Sequence, residues 1–315
     1  MADILTFADI QAAAARIAPH VQRTPIMTCD WIDRRLGAQV FFKCEMFQDT
    51  GAFKQRGASN AVFALPEARL HAGVATHSSG NHGAALALAA RQRGIHATIV
   101  MPENASAYKK RLVAEYDAEI IFCTASMQGR ETALADYVRR SGATMIHPYN
   151  DPLIMAGQGT AALELHTEVP DLDLVLTPVG GGGLLSGTAV ATRALHPHCR
   201  VIGVEPAGAD DAWRSLKAGR IESLTHPVTV ADGLRATIGP LTFAVIRTHV
   251  DAIVRVDEPA IVAAMRTLWE RMKILVEPSS AVVLAALHTG AVEVKGQRVG
   301  VILSGGNVDL DALPW

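Results

Sequence analysis

The sequence predicts an α/β fold of parallel-type sheets wrapped by helices, and three observations carry that reading. Short apolar strands alternate with longer helical stretches, over residues 73–150 and again from 172 onward. The 315 residues are 49% apolar and 19% charged, which suits a sizeable buried core. Strand ends run into small-residue loops, SSGNHG, GGGGLLSG and SGGN, where helices or turns begin.

The elements follow in order. Residues 7–18, FADIQAAAARIA, read as an amphipathic helix that Thr24-Pro25 interrupts. The apolar run Val40 to Met46 precedes TGAFKQRGA (50–58), from which a helical pattern continues to Pro66. Strands are predicted at 73–77, 97–101, 118–123 and 143–148, with helices at 81–93, 106–116 and 128–140 between them. Crossovers of this length imply parallel strands. A second series has strand 172–179, helix 184–195 and strand 200–206, then helical stretches ADDAWRSLKAG, EPAIVAAMRTLWERMKIL and SSAVVLAALHTG, and strand 298–306. Residues 73–150 are self-contained enough to form a smaller lobe, with 1–72 and 151–315 forming the larger.

Composition narrows the partners. A net charge of −2 without a basic block argues against nucleic acid. The four cysteines (Cys29, Cys44, Cys123, Cys199) lack CxxC spacing and read as reduced core residues rather than a disulfide frame or zinc site. The start, MADILTFADI, has acids where a signal peptide needs bases, and no run approaches a membrane span. A cytoplasmic protein is expected.

Ligands on parallel sheets bind at the carboxyl ends of strands, so the loops there are the candidates. Lys54 lies between Gly51 and Gly57 at a helix start, where the positive end of the helix dipole favours the neutral, nucleophilic amine. Taken alone, a solvated charge is the plainer reading. Four glycines in GGGGLLSG (180–187) leave backbone amides uncovered at a helix start, able to wrap an anion. No GK[ST] follows and GxGxxG spacing is poor, so a monophosphate fits better than a nucleotide. In SSGNHG (78–83), Ser78, Ser79 and Asn81 place small polar groups at another helix start, where an ordinary N-cap is the alternative. His82 reads as a packing or capping residue rather than a base. Ser304, in SGGN, could exchange a hydrogen bond with a ring nitrogen, or simply turn the chain.

Together, in this order, TGAFKQRGA, SSGNHG, GGGGLLSG and LSGGNVD resemble the signature segments of pyridoxal-phosphate (PLP) enzymes of the tryptophan-synthase β type, fold type II. More narrowly, the chain is similar to serine/threonine dehydratases and serine racemases. HPYNDPLIMAGQGT (147–160), GVEPAGADDA (203–212), ADGLRATIG (231–239) and WERMKILVEPSSA (269–281) extend the resemblance over nearly the whole chain.

The resemblance implies a two-lobed fold with PLP in the cleft. Residues 1–72 and 151–315 would form the large PLP-binding domain and 73–150 the small mobile one. Lys54 would hold the cofactor covalently and, once released, act as base at the substrate Cα. Phe53 would pack beside the ring, Asn81 would bond the ring hydroxyl and Ser304 would face the ring nitrogen. The amides of Gly180, Gly181, Gly182, Gly183 and Leu184 would bind the phosphate, with Glu277 at the edge. Ser78, Ser79, Gly80, Asn81 and His82 would grip the substrate carboxylate, and Arg130 could approach an acidic substrate.

A serine opposite the ring nitrogen cannot force its protonation as an aspartate would. The weaker electron sink favours prompt loss of a β-hydroxyl over transamination, giving a 2-oxo acid and ammonia. Ser79 resembles the opposite-face acid/base of serine racemases, or else belongs only to the carboxylate loop. Glu205, Asp211 and the carbonyl of Ala209 match a divalent-cation site for Mg²⁺, Mn²⁺ or Ca²⁺. Ala52 stands where a serine often precedes Phe-Lys, and Asp49 where mammalian serine racemases carry a lysine, which sets nucleotide activation in doubt.

The expected activity is that of a PLP-dependent ammonia-lyase (dehydratase) acting on serine, threonine or a related β-hydroxy amino acid. The alternatives are a serine racemase with secondary elimination, a 3-hydroxyaspartate dehydratase and, in another class, a non-catalytic amino-acid sensor. A homodimer follows from the resemblance.

Overall fold

The computed structural model describes residues 4–78, 80–105 and 107–315. Its strands are β1 (Ile26–Met27), β2 (Gln39–Cys44), β3 (Val74–His77), β4 (Ala97–Pro102), β5 (Glu119–Cys123), β6 (Thr144–Met145), β7 (Leu174–Pro178), β8 (Arg200–Pro206), β9 (Ala252–Val256) and β10 (Arg298–Leu303). The helices are α1 (Phe7–Ile17), α2 (Asp30–Leu36), α3 (Lys54–Phe63), α4 (Glu67–Leu70), α5 (Asn81–Arg93), α6 (Ala107–Ala114), α7 (Met127–Ser141), α8 (Pro152–Glu168), α9 (Gly183–Leu195), α10 (Asp211–Ala218), α11 (Pro240–His249), α12 (Glu258–Thr267) and α13 (Pro278–His288).

The strands form two sheets, of order β1-β2-β10-β7-β8-β9 and β5-β4-β3-β6. Every pairing is parallel except β1 with β2. Helices cover both faces of each sheet, as parallel strands require. In β10, Val299, Val301 and Leu303 face one core with α12 and α13, while Ile302 faces the other with α1, α8 and α9. In the smaller sheet, Val74, Ile99 and Met101 pack on α5, and Ala75 and Val100 pack with Leu134 of α7. Ala58, Ala61 and Val62 of α3 and Ile154 of α8 also lie in the α5 core, so elements flanking the small sheet in sequence help to bury it.

Local signals explain many boundaries. Thr6 and Asp9 form a reciprocal capping box on α1. Helix α5 ends at Gly94, whose left-handed φ of 71° closes it where the sequence predicted. Asp151 caps α8, with Pro152 in its first turn. The long stretch EPAIVAAMRTLWERMKIL departs from prediction: α12 stops at Thr267, and a π-helical turn, Leu268–Met272, runs to Lys273 at φ 58°. The Trp269 indole donates to the Val276 carbonyl at 3.0 Å, a local tertiary bond that accompanies the change.

Candidate active site

A cleft of about 1110 Å³ opens where the carboxyl ends of β3, β4, β7 and β10 meet. Lys54, first residue of α3, sits in it with Nζ donating to the Pro148 carbonyl at 2.7 Å. Its amine lies 5.1 Å from the Phe53 ring centroid. Burial lowers the amine pKa to about 8. The sequence pointed to the helix dipole as the cause; desolvation does the lowering.

The chain around Lys54 is held from both sides. The Phe53 amide donates to the Ser304 carbonyl at 3.0 Å, and the Gly306 amide donates to the Gly51 carbonyl at 2.9 Å. Two residues on, Arg56 is fully buried, with Nε 2.7 Å from Glu45 and Nη1 2.7 Å from Glu164. Lys43 joins the network at 2.6 Å from Glu164. Burial alone would raise the Glu45 pKa, but Arg56 outweighs it and holds the carboxyl below the usual range.

The glycine segment follows β7. Gly182 has φ 89° and caps α9, whose first-turn amides have no intrahelical acceptor. A Cβ on Gly181 would stand 2.3 Å from a Tyr149 ring carbon, and one on Gly182 2.9 Å from Thr242 Cβ. Side chains are excluded, and Gly180, Gly181, Gly182, Gly183 and Leu184 line the cleft with bare backbone. Such a cradle at a helix start fits an anion.

Asn81 opens α5 and is fixed at both ends of its amide. Its Nδ2 donates to Glu277 Oε1 at 2.8 Å, and its Oδ1 accepts from Asn307 Nδ2 at 3.1 Å. Glu277 Oε2 is buried with no partner among the described residues, and burial pushes the carboxyl up to about 7. Ser304 is buried at the end of β10 and lines the cleft.

Ser78, Gly80, Asn81 and His82 of the serine loop line the cleft. Ser78 Oγ accepts from the amides of Gly80 at 3.2 Å and Gly83 at 3.0 Å, so its hydroxyl holds the loop's own backbone. Ser79 lies outside the described residues. His82 is buried, its Nε2 3.4 Å from the Ile146 carbonyl and its Nδ1 without a partner among the described residues. Burial and the charge of Lys54 keep it neutral, in line with a packing role. Arg130, on α7, reaches the cleft and has a buried Nε without a partner among the described residues.

Glu205 and Asp211 stand apart from the cleft, at the end of β8 and the start of α10. Glu205 accepts from the amides of Ala212 at 3.0 Å and Trp213 at 2.8 Å. Asp211 Oδ2 accepts from the Ile238 amide at 2.7 Å, and its Oδ1 is buried with no partner among the described residues. Burial, with the charge of Asp211, raises Glu205 well above the carboxylate range. Burial raises Asp211 to about 6. Ala209 is buried in the turn between them. The neighbouring Asp210 is instead committed to Arg214 and Arg255.

Some cleft residues escaped the sequence reading. Lys109 of α6 pairs with Asp232 across the two sheets, and Asn307 ties Asn81 to the Thr50 carbonyl. Lys109 lies in the charged stretch SAYKKRLVAEY, which reads as a solvated face and offers no signal. A second cavity of about 340 Å³, between α1 and α8, has Arg23 and Glu164 already engaged in ion pairs.

The family model described as "Pyridoxal-phosphate dependent enzyme" matches residues 17–305. The chain belongs to the pyridoxal-phosphate-dependent enzymes. It is 49% identical to the β-hydroxyaspartate dehydratase of Paracoccus denitrificans, over 99% of each chain. It is 48% identical to a serine racemase of Oryza sativa, over 96% of this chain and 91% of the relative. The structure of maize serine racemase superposes with a TM-score of 0.96 at 47% identity, covering 98% of this chain and 95% of that one. The architecture is thus that of PLP fold type II, and the chain is an enzyme of a family of PLP-dependent lyases and racemases. The cleft suits that cofactor: an amine for its aldehyde, bare amides for its phosphate and Ser304 in the same lining.

Proposed function

We propose that this PLP-dependent enzyme is an ammonia-lyase (dehydratase). It converts a β-hydroxy amino acid to a 2-oxo acid and ammonia, with serine, threonine and 3-hydroxyaspartate as the substrate class. The observation that carries this reading is the buried Lys54 amine, lowered to about 8, in a cleft whose wall carries Arg130. Arg130, whose buried Nε has no partner among the described residues, favours 3-hydroxyaspartate within the class.

Bound PLP supplies an electron sink that acidifies the substrate Cα proton. Lys54 Nζ holds the cofactor and, when free, takes that proton. The amides of residues 180–184 anchor the phosphate, Asn81 and Ser304 orient the ring, and Phe53 packs beside it. Ser78, Ser79, Gly80, Asn81 and His82 form the loop that grips the α-carboxylate. The β-hydroxyl leaves as water, and the released enamine hydrolyses in solvent to the 2-oxo acid and ammonia. Residues 73–150 act as the small mobile domain that closes over 1–72 and 151–315. No described helix is long and apolar enough to cross a membrane, and four free cysteines fit a cytoplasmic setting. A homodimer is part of the proposal; exposed Phe47, Leu275 and Leu310 supply apolar surface for it.

The cation site is proposed at Glu205, Asp211 and the Ala209 carbonyl. Two buried carboxylates, one oxygen of which has no partner among the described residues, fit an oxygen-seeking Mg²⁺, Mn²⁺ or Ca²⁺. A second reading, amino-acid racemisation, is supported by the serine racemases among the relatives; Ser79, outside the described residues, is the proposed second acid/base. A panel of L-serine, D-serine, L-threonine and the 3-hydroxyaspartate isomers, read for 2-oxo acid and chirality, separates the two. Purified protein should show the visible absorption of lysine-bound PLP, lost in Lys54→Ala. A wild type that stays colourless with added PLP overturns the reading.

A further inference from the structure

The crossing from β6 to α8 is a tight turn, His147-Pro148-Tyr149-Asn150, and it touches both ends of the cofactor site. His147 Nδ1 accepts from the amide of Asn150 at 2.9 Å and of Tyr149 at 3.3 Å. An Nδ1 that accepts twice leaves the ring proton on Nε2. The folded turn aims the Pro148 carbonyl at Lys54 Nζ, 2.7 Å away. It also seats the Tyr149 ring against Gly181, where a Cβ would come within 2.3 Å of the ring. The imidazole meets that ring edge-on, 4.6 Å between centroids.

Asn150 extends the reach. Its Oδ1 accepts from the amides of Leu241 at 2.8 Å and Thr242 at 3.4 Å, satisfying the start of α11. Thr242 Oγ1 then donates to the Gly181 carbonyl at 2.8 Å. One turn therefore sets the lysine that holds the aldehyde end and the glycines that face the phosphate end.

We propose that His147 is the positioning residue of the cofactor site, folding the turn that fixes Lys54 and the glycine cradle together. The inference rests on the PLP reading of the cleft. Burial comes first, then the charges of His77 and Lys54, in keeping the ring unprotonated, with a pKa of about 4. His77 stands 6.4 Å away ring to ring, and His82, itself held neutral, is close enough to feel the charge of both Lys54 and His147.

The test uses the full chain stripped of PLP and titrated with it, reading the dissociation constant by visible absorption and the fold by far-ultraviolet circular dichroism. His147→Leu keeps bulk and removes the acceptor; His147→Asn places an amide oxygen where Nδ1 stood. We expect the leucine variant to bind PLP at least tenfold more weakly and the asparagine variant to recover most of that loss. Equal affinity in leucine variant and wild type, or equal loss in both variants, overturns the inference alone. Wild type that takes up no PLP overturns the proposed function and the inference with it. Should the leucine variant fail to fold, Asn150→Ala against Asn150→Asp tests the same turn. Alanine should weaken PLP severalfold with aspartate recovering it, and no difference between them overturns the inference.

Discussion

Glu277 and Asn81 meet across the two sheets, amide nitrogen to carboxylate oxygen at 2.8 Å, while the second Glu277 oxygen is buried without a partner among the described residues. The price of that burial is a carboxyl raised from its ordinary 4.5 to about 7, with nearby Lys109 pulling the other way. The folded state then binds this proton more tightly than the unfolded chain. Its contribution to stability is present below pH 4.5 and is lost as pH rises through 7, about 3 kcal/mol in all. Denaturant melts of cofactor-free protein at pH 5 and 8 should show wild type losing more stability than Glu277→Gln over that interval. Parallel losses would mean that Glu277 titrates as an ordinary carboxylate.

Removing Arg56 strands Glu45 in the core with no exposed surface. Arg56→Met should cost roughly 3–5 kcal/mol, the range for breaking a buried ion pair from one side. Urea unfolding at pH 7 gives the value. A loss below 1 kcal/mol would mean that Lys43 takes over both carboxylates.

Arg130 should discriminate among substrates. Arg130→Gln is expected to lower kcat/KM for 3-hydroxyaspartate on the order of 100-fold, about 2.7 kcal/mol for a lost charged hydrogen bond, with a much smaller loss for serine. Equal losses for both would assign Arg130 to the fold of the small sheet.

Chelation bears on the Glu205–Asp211 pair. If a divalent cation at about 100 times its dissociation constant occupies the pair, its removal costs about 2.7 kcal/mol and lowers the melting temperature. Glu205→Ala should no longer respond. Trp213 offers a second readout, since its amide donates to Glu205 and its ring lies 3.6 Å from the Arg255 guanidinium. Unchanged melting and unchanged Trp213 fluorescence after chelation would remove the site.

Most strands of both sheets were legible in the sequence because they are short apolar runs separated by patterned helices. Lys54, Asn81, the four glycines and Ser304 were legible as members of strand-end loops that line the cleft, while the roles proposed for them came from the resemblance and not from local pattern. Helix α8 was not read as a helix: PLIMAGQGTAALELHTE is buried on nearly every side and shows no amphipathic period. Strand β9 is five residues long and follows helix α11, itself unread, so nothing set it off from a loop. Lys109 with Asp232, and Asn307 with Asn81, join positions 123 and 226 residues apart, and no local pattern carries such pairings. His147 was visible only as part of a motif; its double acceptance appears when the turn is folded.

Gly80 shows what the Lys109–Asp232 pair imposes on the chain. The stem of Lys109 crosses this glycine: a Cβ would lie 2.9 Å from Cδ and 3.2 Å from Nζ. Any larger residue at 80 displaces the lysine and loosens its grip on Asp232. The room at position 80 is thus set in part by an electrostatic partnership between two other residues.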